Sequence, residues 1–187
     1  MTNTDTEQYD TGLTVKNDTQ SVISFTKVSL PYGWLGNMSP HSIHYNGFQY
    51  RTSESLFQSM RFSKFPVVQQ QIIDAKSPMN SKFISKRFQN LLTEDDYKND
   101  VDNMRCCLWL KLEQHPHLVP MLHETEDKLI VEDCSNRSHS RRALFWGAKW
   151  DDNTHQWVGG NTLGKLWMEI RTTQIREWCP PVQFFVN

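Results

Sequence analysis

The sequence predicts a mainly α-helical, single compact domain with a few short β-strands. Apolar side chains recur at helical spacing, most clearly after Asn161, where positions i, i+3, i+4 and i+7 are occupied by Leu163, Leu166, Trp167 and Ile170. Stretches with strand-like alternation are only a few residues long. A chain of 187 residues suits one domain, and neither an internal repeat nor a linker indicates a second.

The elements can be placed in chain order from their start and stop signals. Helices are expected at 52–65, 67–75, 78–88, 93–113, 118–123 and 161–171. Short strands are expected at 22–28, 43–50 and 128–132, the second of which contains the turn signal Asn46-Gly47. The polar and basic segment 134–142 is expected to be a loop.

The two ends differ from the middle of the chain in composition. Residues 1–21 are rich in Thr, Asn, Asp and Gln and predict a disordered polar tail. Residues 173–187 form a C-terminal tail with two adjacent prolines, Pro180 and Pro181, which can lie against the domain or mediate self-association. The domain itself is therefore expected at 22–172.

Charge and cysteine content restrict the partners and the compartment. A net charge of −1 argues against the broad basic face of a sequence-indifferent nucleic-acid binder, although a local patch remains compatible with it. The four cysteines have no C-x-x-C spacing, which favours a reducing, cytoplasmic setting. No apolar run approaches the roughly 18 residues that span a bilayer, so no membrane partner is expected.

Signatures of the common cofactor and metal enzymes are missing. The chain has no G-x-G-x-x-G, no P-loop and no H-E-x-x-H, so we expect no cofactor. His115-x-His117 and His41-x-x-His44 have ligand-like spacing but lack a thiolate pair or carboxylates, so we also expect no metal. The adjacent Cys106 and Cys107 fall beside core positions of a predicted helix, which argues against a cysteine nucleophile.

Several polar residues stand at places that suit a ligand, each with a structural alternative. Glu54 lies in the first turn of a helix, where the helix dipole stabilises a carboxylate that faces a pocket or simply caps the helix. Asn161 is the expected N-cap of the last helix, and Gly164 permits close approach of either a ligand or a packed neighbour. Arg137, Arg141 and Arg142 could clamp phosphate or solvate a loop.

These residue types suit hydrolysis of an N-glycosidic bond. Loss of a base from ribose builds positive charge on the sugar, which a fixed carboxylate stabilises while it orients the attacking water. An aromatic ring can stack on the leaving heterocycle, and amides can hold the ribose hydroxyls. The exposed-loop aromatics Tyr32, Trp34 and Trp146 are candidates for the ring.

Ordered short motifs resemble the NADAR family, also called YbiA-like. They are Trp34-Leu35-Gly36-Asn37, the helix from Thr52-Ser53-Glu54 to Phe62, Ser77-Pro78-Met79, Leu129-Ile130-Val131-Glu132, Phe145-Trp146-Gly147 and the run from Gly160 to Arg171. The resemblance covers about 22–172 and implies a mostly helical YbiA-like domain with N-glycosidase activity. Family activities include hydrolysis of phosphorylated N-ribosyl intermediates of riboflavin biosynthesis and removal of ADP-ribose from modified guanine in DNA.

The resemblance also implies site residues. Glu54 and Trp146 match the acidic helix-start residue and the pocket aromatic, and are expected to be catalytic. Substrate is expected to contact Trp34, Asn37, Phe57, Gln58, Arg61, Ser77, Arg142, Gly147, Asn161 and Gly164. The expected ligand is ADP-ribose or a related ribosyl phosphate, with ADP-ribosylated DNA as a partner.

Two positions depart from the family pattern. Ser55 stands where the family commonly has His, and Ala143 stands where it commonly has Asp. Asp133 is a candidate replacement acid, and the basic loop before Phe145 favours a substrate with a diphosphate. Two rival hypotheses remain: a module that binds ADP-ribose without cleaving it, and an interaction protein whose aromatic residues all lie in the core.

Overall fold

The computed structural model describes residues 14–16 and 21–173. Within them, helices account for about half of the residues. In chain order they are α1 (Ser53–Met60), α2 (Pro66–Ile73), α3 (Pro78–Arg87), α4 (Glu94–Lys98), α5 (Asp100–Gln114), α6 (Leu118–His123), α7 (Arg141–Trp146) and α8 (Thr162–Thr172). The mainly helical fold class is confirmed. No helix of the described ranges has both the length and the apolar composition to cross a membrane.

The strands form three small sheets. They are β1 (Thr14–Lys16), β2 (Val22–Phe25), β3 (Ile43–Tyr45), β4 (Phe48–Tyr50), β5 (Leu129–Glu132), β6 (Lys149–Asp151) and β7 (Gln156–Val158). Strands β2 and β5 pair in parallel, with Ile23 opposite Ile130. Strands β3 and β4 are an antiparallel hairpin around Asn46-Gly47, and β7 lies between β1 and β6.

The main core surrounds α5. Helices α1 and α8 pack against α5, and the β2–β5 pair packs against α8. All eight residues of α1 are buried, so this helix runs through the domain rather than over its surface. Strand β5 ends in the interior of the domain, and α1 begins there. Polar residues at the end of β5 and at the start of α1 can therefore face an internal cavity.

The structure differs from the expected elements in several places. Helix α1 ends at Met60 rather than near 65, and strand β2 ends at Phe25 rather than at 28. The helix expected at 93–113 is two helices, because α4 ends at Lys98 and α5 begins at Asp100. The strand expected at 43–50 is a hairpin, as its Asn-Gly signal allows. The segment 134–142 contains a 3-10 turn at Ser135–Arg137 and the start of α7.

The N-terminal segment contains one paired strand. Thr14–Lys16 pairs antiparallel with Gln156–Val158, although the composition of 1–21 led us to expect a disordered tail. Composition misses this strand because an edge strand is held by backbone hydrogen bonds to its neighbour. The other residues of the two expected tails, 1–13, 17–20 and 174–187, lie outside the described residues.

Buried side chains hold the loop at 34–39, which lies beside α1, through hydrogen bonds. The side-chain nitrogen of Lys111, fully buried in α5, is hydrogen-bonded to Trp34 O, Gly36 O and Ser39 Oγ. The Trp167 indole donates to Leu35 O at 2.9 Å. These bonds fix the loop that carries Asn37.

Candidate active site

Glu54 is held at the start of α1 by both its backbone and its side chain. Thr52 caps the helix by accepting a hydrogen bond from Ser55 N at 3.2 Å. The Glu54 backbone N–H donates to Asn37 O at 2.9 Å, which ties the loop to the helix. One turn later, Gln58 Nε2 donates to Glu54 Oε1 at 2.9 Å. The carboxylate is therefore buried and fixed in orientation.

A cavity of about 260 Å³ lies against this carboxylate. Its walls come from α1, α3, α5, the end of β5 and the segment that leads into α7. The lining residues are Asn37, Glu54, Phe57, Gln58, Lys82, Met104, Glu132, Arg137, His139, Ser140, Arg142, Ala143 and Trp146. Six of the residues expected at the site lie here together: Asn37, Glu54, Phe57, Gln58, Arg142 and Trp146.

Two hydrogen-bond acceptors in the wall around Glu54 are unpaired among the described residues. Asn37 Oδ1 and Gln58 Oε1 are buried and have no hydrogen-bond partner among the residues that the structure describes. Their amide nitrogens are already used, by Met104 Sδ at 3.2 Å and by Glu54. Buried polar atoms are normally paired, so these two oxygens are available to accept hydrogen bonds from a ligand. Hydroxyl and amino groups are such donors.

Cationic side chains surround the same cavity. Lys82 Nζ lies 4.0 Å from Glu54 Oε1, and Arg137 Nη2 lies 3.1 Å from Glu132 Oε1. On the α5 side, Arg142 Nη2 contacts Asp100 Oδ2 at 2.9 Å. The Lys82 and Arg142 side chains remain 45% and 34% exposed, so both can still reach an anionic ligand at the mouth.

Arg61 does not line the cavity but supports it. Its Nε donates to Asp100 Oδ1 at 3.0 Å, and its guanidinium group lies 4.5 Å from the centre of the Tyr97 ring. Asp100 therefore joins Arg61 to Arg142. Through this carboxylate, a buried arginine holds a cavity-lining arginine in position.

Glu132 is a second carboxylate at the cavity. It ends β5, and its side chain is 17% exposed. Burial raises its pKa from the ordinary value, although the charge and the hydrogen bond of Arg137 act in the opposite direction; the Glu54 carboxylate raises it further, and Lys82 lowers it. Burial thus favours the protonated form of this carboxyl group over the charged form.

The aromatic part of the wall is formed by Trp146 and Phe57. Their rings meet edge to face with centroids 5.6 Å apart, and Phe145 lies on Trp146 in the same manner at 5.1 Å. Edge contacts of this kind fix the plane of an indole ring. These contacts therefore hold the Trp146 ring in a fixed orientation in the wall of the cavity.

Three residues expected to contact substrate instead join α8 and the α7 turn to β5. Asn161 Oδ1 accepts from Glu132 N at 3.1 Å, and its Nδ2 donates to Ile130 O at 2.8 Å. The residue stands at the N-cap position, but its side chain makes no capping bond, so that part of the prediction is wrong. A Cβ on Gly164 or Gly147 would lie 2.1 Å from Ile130 O or 2.5 Å from Glu132 O. Both glycines allow close packing onto β5.

Two further residues of the expected set lie elsewhere. Ser77 caps α3 by accepting from Asn80 N at 3.2 Å, and it lines another cavity, of about 490 Å³, that shares no lining residue with the first. Trp34 packs edge to face on Trp167 with centroids 5.8 Å apart. Neither residue lines the cavity around Glu54.

The two departures from the family pattern have different surroundings. Ser55 Oγ is buried against Ser81 Oγ at 3.0 Å and does not line the cavity. Ala143 does line it and brings no carboxylate. Asp133 does not replace that acid, because its Oδ1 accepts from Ser135 N and Oγ and its side chain is not part of the wall.

Several lining residues were missed by the sequence reasoning: Lys82, Met104, Glu132, His139 and Ser140. For Glu132 a signal existed, because a carboxylate that ends an apolar strand is buried on at least one side. Lys82 gave none, since a lysine within an amphipathic helix is usually solvated. Within the described ranges, no three His, Cys, Asp or Glu side chains are grouped to bind a metal ion.

Known proteins are similar to this chain over most of its length. A family model described as the NADAR domain matches residues 24–175. The chain is 32% identical over 166 residues to the riboflavin biosynthesis protein PYRR of Zea mays, covering 81% of this chain but only a quarter (25%) of the length of the maize protein. It is 30% identical over 151 residues to an N-glycosidase of Nostoc punctiforme, covering 80% of this chain and 90% of that one.

A solved structure shares the fold. The NMR structure of the Escherichia coli protein YbiA superposes with a TM-score of 0.67 at 28% identity, covering 81% of this chain and 83% of that one. The fold, a mainly helical domain, therefore agrees with the family match over most of the chain. Carboxyl groups from α1 and β5 line its cavity. The chain belongs to the NADAR family.

Proposed function

We propose that this chain hydrolyses an N-glycosidic bond between ribose and a base or amine. The observation that carries the proposal is the lining around Glu54, where a buried carboxylate stands beside two amide oxygens that lack donors. A sugar supplies hydroxyl donors to such oxygens. The cations at the mouth, Lys82 and Arg142, suit a phosphate on the same sugar.

The geometry of the cavity supports the following proposed roles. Glu54 stabilises the positive charge that develops on the ribose and orients the water that attacks C1′. Trp146, fixed edge-on by Phe57, offers its face to the leaving heterocycle. Asn37 and Gln58 accept hydrogen bonds from the sugar hydroxyls.

The substrate we favour is ADP-ribosylated guanine in DNA, with free ADP-ribose as the product. A cavity of about 260 Å³ is smaller than the roughly 300–1,000 Å³ of sites that enclose a whole drug-sized ligand. It suits the reacting ribose and its nearest phosphate, while the remainder of ADP-ribose lies along the cationic mouth. The arginines of the segment before Phe145 support a diphosphate there.

A smaller substrate is the second candidate. The maize relative is named a riboflavin biosynthesis protein, which favours a phosphorylated N-ribosyl intermediate of that pathway. Such a molecule carries one phosphate and fits the cavity with little outside it. A third outcome, binding of ADP-ribose without turnover, is motivated by Ala143, which leaves the cavity without an acid at that position.

The test is product analysis by mass spectrometry with two probes. Wild-type protein and Glu54→Gln are incubated with an oligonucleotide carrying ADP-ribosylated guanine and with a ribosylaminopyrimidine 5′-phosphate. We expect the wild type to release ADP-ribose from the first and Glu54→Gln to release none. Glu94→Gln is the matched control, because Glu94 occupies the first turn of α4 and is exposed.

Each outcome selects one function. Cleavage of only the small probe supports the riboflavin-type substrate. Binding of ADP-ribose with no cleavage of either probe supports the binding module. Equal activity of wild type and Glu54→Gln contradicts the role of Glu54.

A further inference from the structure

We propose that Glu132 is a second catalytic carboxyl group, which donates a proton to the leaving nitrogen as the C1′–N bond breaks. This inference rests on the proposed N-glycosidase function. It assigns the proton donor of that reaction.

The position of Glu132 suits a proton donor. Glu132 and Glu54 line one cavity from different elements, the C-terminal end of β5 and the first turn of α1. The end of β5 is fixed by Asn161, whose Oδ1 accepts from the Glu132 backbone N–H at 3.1 Å. A ribosyl group bound in this cavity therefore lies in a space that is lined by two carboxyl groups from different elements.

Among the carboxyl groups near the cavity, Glu132 is the partner that remains for Glu54. Of the residues that line it, Glu54 and Glu132 are the two that carry a carboxyl group. Asp133 is turned into its own loop by Ser135, and position 143 is alanine. Asp100 stands behind the wall, between Arg61 and Arg142.

The two carboxyl groups, Glu54 and Glu132, have different surroundings. Gln58 donates a hydrogen bond to Glu54, which marks Oε1 as an acceptor. Glu132 is held by Arg137 yet has a raised pKa, because burial outweighs that cation. The other groups that act on it are Glu54, which raises its pKa, and Lys82, which lowers it; Cys134 adjoins it in the chain. Paired carboxyl groups in unlike surroundings are typical of an acid and a base.

The step balances. The electron pair of the C1′–N bond leaves with nitrogen, which takes the proton of the Glu132 carboxyl group. The water oxygen bonds to C1′, and its proton passes to the Glu54 carboxylate. Exchange with solvent returns Glu132 to the acid and Glu54 to the carboxylate, so that ribosyl–N plus water gives ribosyl–OH plus H–N.

The experiment is a pH–rate profile on the probe that the wild type cleaves. Because Glu132 must be protonated to act, wild-type kcat falls as the pH rises through its raised pKa. We expect Glu132→Gln to lower kcat on the order of 10²-fold and to abolish this alkaline limb. Glu132→Asp, which keeps the carboxyl group, should retain the limb at a reduced rate. Binding of ribose 5-phosphate, measured by calorimetry, should persist in both variants.

Asp133→Asn is the matched control, since it neutralises the adjacent carboxylate outside the cavity. A wild-type profile without an alkaline limb overturns the inference even if Glu132→Gln does not fold. An active Glu132→Gln with the wild-type profile also overturns it and leaves the proposed function intact. If the wild type cleaves neither probe, the proposed function fails first and the role of Glu132 fails with it.

Discussion

Gln58 and Glu54 stand one helical turn apart on α1, and the amide of the first donates to the carboxylate of the second at 2.9 Å. Such i, i+4 pairs on exposed helices contribute only about 0.2–0.5 kcal/mol to stability. This pair is buried at the cavity, where its effect is on orientation. It leaves Glu54 facing the ligand space and Gln58 Oε1 without a partner.

Gln58→Met should therefore impair turnover more than folding. We expect kcat to fall about tenfold to a hundredfold, because the carboxylate loses the bond that aims it. Steady-state kinetics and a thermal melt measure the two effects separately. Gln70→Met is the control, since it removes a similar amide–carboxylate bond, to Asp74, from the exposed part of α2. Equal losses in both variants would contradict the orienting role.

The helical framework could be predicted because its signals are local. Periodicity and caps placed the start of α1 and both ends of α3 and α8 within about one residue, whereas α1 ends earlier than expected. The NADAR resemblance is confirmed by the family match. The sequence does not show the break between α4 and α5, because the apolar pattern continues across Asn99. In the structure Asn99 itself keeps helical backbone angles. Asp100 starts α5 beside two arginines that are distant in sequence.

The site could be predicted only in part for the same reason. Six of the expected residues share one cavity, but their roles stay predictions. Asn161 and Gly164 looked like ligand-facing residues from their glycine-rich setting, whereas their contacts are with the backbone of β5. Which of two neighbours a glycine approaches depends on packing that is set by residues about thirty positions away. Lys82 and Glu132 enter the cavity through such packing as well.

Asp100→Asn should destabilise the fold. The carboxylate is buried between Arg61 and Arg142, and neutralising it removes the negative charge that both guanidinium groups contact. We expect a loss of about 3–5 kcal/mol in the free energy of unfolding, measured by urea denaturation. Asp102→Asn removes an exposed ion pair with Arg105 on the same helix and should cost no more than about 1 kcal/mol. Similar losses in the two variants would contradict this account.

Lys82→Gln should weaken recognition of phosphate. Lys82 lines the cavity with its side chain 45% exposed, so it can meet an anion while it stays 4.0 Å from Glu54. We expect KM for a phosphorylated probe to rise about tenfold and KM for its dephosphorylated form to change little, because a charged hydrogen bond contributes about 1.5–3 kcal/mol. Lys86→Gln, one turn further along α3 and exposed, is the control. An equal rise in KM for both forms of the probe would assign Lys82 another role.

Lys111 should make stability depend on pH in an unusual direction. Burial lowers the pKa of its ammonium group from 10.5 to about 7. Between these values the unfolded chain holds a proton that the folded chain has released, so unfolding takes up protons and stability rises with pH. Lys111→Met lacks this contribution. The difference in unfolding free energy between wild type and Lys111→Met should shift in favour of the wild type from pH 7 to pH 10.

Urea denaturation of both proteins at several pH values in that window measures the shift. All other titratable groups are common to both proteins, so their contributions cancel in the difference. Lys165→Met, which removes an exposed lysine from α8, should follow the wild type at every pH. Lys111 holds the loop that carries Asn37. Lys111→Met should therefore also weaken the hydrogen bond from the Glu54 backbone N–H to Asn37 O. Parallel stability curves for wild type and Lys111→Met would show that Lys111 keeps its proton in the folded core.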